Sequence, residues 1–73
     1  MLLDACERGR SYVVKKTAPR TASLFSDIGL FAGREFLVVD TFPFRGPVVI
    51  DLGGYLIAVA RSAAADVEVA LVE

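Results

Sequence analysis

The chain has 73 residues, 55% of them hydrophobic, with eight basic and nine acidic side chains for a net charge of -1. That length holds one small core and leaves no room for a separate catalytic domain, and the apolar content is too high for intrinsic disorder. A near-neutral surface makes no field that would gather nucleic acid, and without histidine neither a Ser-His-Asp triad nor a histidine-based metal site can be assembled.

In chain order, glycine and proline divide the sequence into short segments, as in a small barrel rather than a helical bundle. Ser11 to Lys16, after the turn residue Gly9, reads as a strand carrying Tyr12, Val13 and Val14. From Thr21 to Ile28 the spacing of Leu24 and Ile28, with Phe25 beside them and Ser23, Ser26 and Asp27 on the other face, predicts a short amphipathic helix. Gly29 follows where a helix ends in a left-handed residue, so a positive φ is expected there, with Leu30 packing back on Phe25. Gly33 makes the next turn, and Arg34 to Thr41 forms a strand centred on Phe36 to Val39.

The glycine pair Gly53 and Gly54 suits a two-residue hairpin turn, which needs positive φ. Placing it there pairs Leu52 with Tyr55, Ile50 with Ile57 and Val48 with Val59, all on one face. Ser62 is then the expected cap of a helical turn over Ala63, Ala64 and Ala65, before Val67, Val69 and Leu71 alternate in a last strand. The expected fold is mainly β: one five-stranded, partly open barrel over residues 1–73, with one short amphipathic helix and one short helical turn.

Catalytic, cofactor and metal residues are not expected. The carboxylate pairs Asp4 with Glu7 and Asp66 with Glu68 read as solvated surface charge, and Cys6 beside Asp4 and Glu7 makes a poor metal cage. The glycines lack the run followed by Lys-Ser/Thr that cradles phosphate, and Lys15, Lys16 and Arg20 read as a solvated edge. Apolar runs such as Phe36 to Val39 and Leu56 to Ala60 are far shorter than the roughly 20 residues that cross a bilayer. Charges within Met1 to Arg10 interrupt any signal-peptide pattern, so a cytoplasmic location is expected.

Binding is the remaining class. If Val48, Ile50, Leu52, Ile57 and Val59 face the core, then Val49, Leu56, Ala58 and Ala60 face away, and Leu37 and Val39 extend that charge-poor outer face. Either a partner or another part of the chain must cover it. Phe42 and Phe44, flanking Pro43, are the other candidates, as interface anchors or as lids on the barrel.

The ordered set Asp27-Ile28-Gly29-Leu30, Ala32-Gly33, Gly46-Pro47-Val48, Gly54-Tyr55, Ile57-Ala58 and Arg61 resembles the pattern of the FeoA family, ferrous iron transport protein A. The resemblance implies an SH3-like barrel without enzymatic activity, docking on the cytoplasmic part of a FeoB-type membrane iron transporter and modulating it. It also implies an alternative, because a similar module forms the C-terminal part of DtxR-type repressors: a metal-responsive regulator that binds a transition metal or a repressor. Self-association through exposed outer strands is compatible with both.

Overall fold

A computed structural model of the chain describes residues 1–72. A 3-10 turn at Leu3–Ala5 precedes β1 (Ser11–Thr17), α1 (Ala22–Asp27), β2 (Glu35–Thr41), β3 (Val48–Asp51), β4 (Leu56–Val59), α2 (Arg61–Ala64) and β5 (Val67–Leu71). All neighbouring strands are antiparallel, and the sheet runs in the order β4-β3-β2-β1-β5. From β1 onward the order of elements is the expected one, and the N-terminal turn is an addition that the sequence reading did not contain.

The sheet does not close on itself, because β4 and β5 are its two edges. Helix α2 links those edges, and the N-terminal turn packs against both α2 and β5. Leu3 from that turn and Ala64 from α2 are fully buried and join one core with Tyr12, Val14, Phe25, Phe36, Val38, Ile50 and Val69. Side-chain alternation assembles this core: Phe36 and Val38 point inward from β2, Val48 and Ile50 from β3, and Val67 and Val69 from β5.

The hairpin register is the expected one, with Val48 opposite Val59 and Ile50 opposite Ile57, and the Leu52 amide donating to the Tyr55 carbonyl at 3.0 Å. Gly53 and Gly54 both have positive φ, at 91° and 130°. The C-terminus of α1 also follows the reading. Gly29 takes φ 94°, the Leu30 amide donates to the Phe25 carbonyl at 2.8 Å and the Gly29 amide to Ser26 at 3.1 Å, the paired bonds that finish a helix at a left-handed residue. Gly29 is required twice over, since a Cβ there would lie 2.6 Å from the Tyr55 hydroxyl.

Two local expectations are corrected. Leu24 is 60% exposed rather than on the buried face, because a helix of six residues turns only Phe25 fully inward and the next buried contact is Leu30, beyond the cap. Ser62 does not cap α2: the N-cap is Ala60, and the helix starts at Arg61, whose side chain is tied to three backbone carbonyls.

Candidate functional site

The outer face of the sheet is built by the same alternation that fills the core. Cross-strand partners Leu37, Asp51 and Leu56 form one row across β2, β3 and β4, and Asp40, Val49 and Ala58 form the next. Val39 lies in the irregular step between Val38 and Asp40, where the register of β2 against β3 shifts. Leu37 is 39% exposed, Val39 37% and Leu56 59%, while Val49 is half-buried. No described element covers this face.

Two residues of that face, Asp40 and Asp51, escaped the sequence reading. Asp51 stands between Leu37 and Leu56, so the face is apolar but not free of charge. Its Oδ1 accepts the Gly53 amide at 2.8 Å and the Gly54 amide at 3.1 Å, and those two bonds, Gly54 first, hold the carboxyl below its ordinary range. An aspartate two residues before a glycine pair is the signal that could have revealed this turn. A shallow groove lined by Ser11, Glu35, Leu37 and Asp51 therefore combines an apolar floor with two carboxylates.

Phe42 and Phe44 belong to a different place. They sit in the β2–β3 loop, at the end of β3 opposite the Asp51–Leu56 pair. Phe44 is 97% exposed and Phe42 44%, so Phe44 is no lid on the barrel. Phe44 and Arg45 both adopt left-handed backbone, with φ 58° and 63°, a conformation that costs a non-glycine residue about 1 kcal/mol. Arg61 holds the loop in this state. Its Nε donates to the Gly46 carbonyl at 2.9 Å, one terminal nitrogen to the Phe42 carbonyl at 2.9 Å and the other to the Asp4 carbonyl at 2.7 Å. One guanidinium thus joins the N-terminal turn, the β2–β3 loop and α2, a use of its fixed fork of donors that lysine could not reproduce.

The remaining candidates are structural. Arg20 makes a two-bond pair with Asp66 at 2.9 and 3.2 Å, and Lys16 lies 4.0 Å from Glu68, so two members of the basic group already have partners on the surface. Cys6 is buried, its Sγ donates to the Leu2 carbonyl at 3.7 Å, and burial pushes the thiol up to about 11. It is a protonated core side chain at neutral pH. Among the described residues no three of His, Cys, Asp and Glu converge. No helix among them is long and apolar enough to cross a membrane.

This geometry is similar to that of known structures. A FeoA-like protein from Clostridium acetobutylicum superimposes with a TM-score of 0.88 at 23% identity, covering 100% of this chain and 87% of that one. FeoA of Stenotrophomonas maltophilia, a prokaryotic SH3 domain protein solved with zinc, does so with a TM-score of 0.81 at 24% identity, covering 96% and 89%. A manganese-dependent transcriptional repressor in complex with manganese matches with a TM-score of 0.88 at 21% identity over 99% of this chain, but over only 36% of its own. These likenesses establish the SH3-like fold. No curated protein matches the sequence significantly. The model of the FeoA domain, however, matches residues 1–71, almost the whole chain, and the chain belongs to the FeoA family.

Proposed function

We propose that this chain is a non-enzymatic accessory of ferrous iron uptake, a cytoplasmic module that docks on the cytoplasmic part of a FeoB-type membrane transporter and modulates it. Family membership supports the link to iron transport. The observation that carries docking is the uncovered outer face, with Leu37, Val39 and Leu56 exposed beside the half-buried Val49. Apolar side chains held on a rigid sheet lose little conformational freedom when a partner covers them. Glu35 and Asp51 in the adjoining groove would suit a partner that brings an apolar side chain next to a cation. Phe44, held outward by the Arg61-tied loop, is a second anchor of the kind that dominates interfaces.

In a strain that depends on this protein, Leu56→Glu and Phe44→Glu should each lower ferrous iron uptake while leaving the fold intact by circular dichroism. Full uptake with both variants would remove the docking reading.

A second reading has one observation in its favour, the presence of the same fold in a manganese-bound repressor. In that reading the module responds to a transition metal or binds a repressor. Calorimetry with ferrous, manganous and zinc ions separates the two: binding tighter than about 1 µM favours the sensor. Only weak heats would leave docking ahead.

A further inference from the structure

We infer that β4 is a self-pairing edge, through which two copies of the chain join antiparallel into one continuous sheet. The hydrogen bond between Leu52 and Tyr55 fixes which groups of β4 face β3. In an antiparallel ladder the bonded pairs alternate, so Tyr55, Ile57 and Val59 direct their amides and carbonyls at β3, and Leu56 and Ala58 direct theirs away from the sheet. No hydrogen bond outside the ladders reaches either residue among the described residues. Unpaired backbone groups along a strand edge are a template for another extended segment.

The identity of that segment follows from what the edge lacks and from its side-chain sizes. Gly53 to Ala60 contains no charge and no proline, and no bulge interrupts the pairing of β4 with β3, so of the devices that keep an edge from pairing only the shortness of the strand is present. An uncharged strand meets its own copy without repulsion. A two-fold axis at Ile57 sets Ile57 against the partner's Ile57 and Leu56 against the partner's Ala58, so a large exposed side chain lies beside a small one on the outer face. Leu56 and Ala58 of each copy then exchange both backbone bonds with the other, four bonds in all by the rule of antiparallel pairing. A two-fold contact of this kind is closed and does not propagate into a fibre. Because β4 has only four residues, the interface falls at the small end of the specific range and the dimer forms reversibly, in the micromolar to millimolar regime.

The test uses the full chain alone, without a transporter, and so stands apart from the docking reading. Sedimentation from about 10 µM to about 1 mM should show a shift from monomer to dimer. Over the same range, amide exchange at Leu56 and Ala58 should slow at least about tenfold, while Ile57, already bonded to β3, changes little. Ala58→Pro removes an outward amide that makes no bond within the sheet, an edge position where proline is tolerated, and should stay monomeric throughout. Ala58→Lys provides the same test should the proline variant fold poorly. A wild-type chain that remains monomeric to 1 mM, or amides at Leu56 and Ala58 that ignore concentration, would overturn the inference, as would an Ala58→Lys variant that dimerises like the wild type.

Discussion

The two edges of the sheet are finished in opposite ways. At β5 the chain's own N-terminus covers the strand: the Val69 amide donates to the Met1 carbonyl at 2.7 Å, the terminal ammonium donates to the Val69 carbonyl at 3.0 Å, and Leu2 bridges to Glu68. At β4 the edge carries Leu56 and Ala58, uncharged and exposed, with their outward backbone groups unbonded among the described residues. Leu3, Ala64 and Arg61 tie the N-terminal turn to α2 on the covered side, and the docking proposed above uses the bare one. A domain this small has a narrow margin of stability, so surface spared from packing marks where a partner can bind.

Substitutions should divide along that line. Leu3→Ala, which opens a cavity under the N-terminal turn, should cost about 3 kcal/mol in chemical denaturation. It should also expose Cys6 to alkylation, which the native fold resists because burial keeps the thiol protonated to about pH 11. Arg61→Met should cost about 2 kcal/mol, since it leaves the carbonyls of Asp4, Phe42 and Gly46 without their donor. On the bare side, Leu56→Glu should change stability by no more than about 0.5 kcal/mol. A loss there comparable to that of Leu3→Ala would erase the distinction between the two sides.

The smallest effect is electrostatic. Because the Gly54 and Gly53 amides lower the Asp51 carboxyl below its unfolded value, its contribution is present above the ordinary carboxylate range and is lost as pH falls through the folded value. The stability difference between wild type and Asp51→Asn should therefore shrink between about pH 5 and pH 2 and stay constant above that window. A difference that grows on acidification would contradict the assignment.

How legible the molecule was depended on the range of each contact. The β3–β4 hairpin and the Gly29 cap could be read because their signals are local: a glycine pair inside alternating apolar residues, and a glycine after one amphipathic turn. The N-terminal turn could not be read. Leu3 and Cys6 lie in a segment without periodicity, and the turn that carries Leu3 packs on α2 and β5, some sixty residues away in the chain. Arg61 figured in the family pattern, but its function as a three-way tie depends on carbonyls from separate segments that leave no mark in the sequence around it. The left-handed backbone of Phe44 was hidden for the same reason, since an aromatic residue is a poor candidate for that conformation. On the outer face, Leu37, Val39, Val49 and Leu56 were placed by alternation alone, and Asp51 was missed although it obeys the same alternation.

The most direct measurement is co-purification of the full chain with the cytoplasmic part of a FeoB-type transporter from the same source, comparing wild type with Leu56→Glu, with and without nucleotide. Retention of the wild type and its loss in a folded Leu56→Glu variant is the expected result. Equal retention of both proteins, or retention of neither, would contradict docking through the bare side of the sheet.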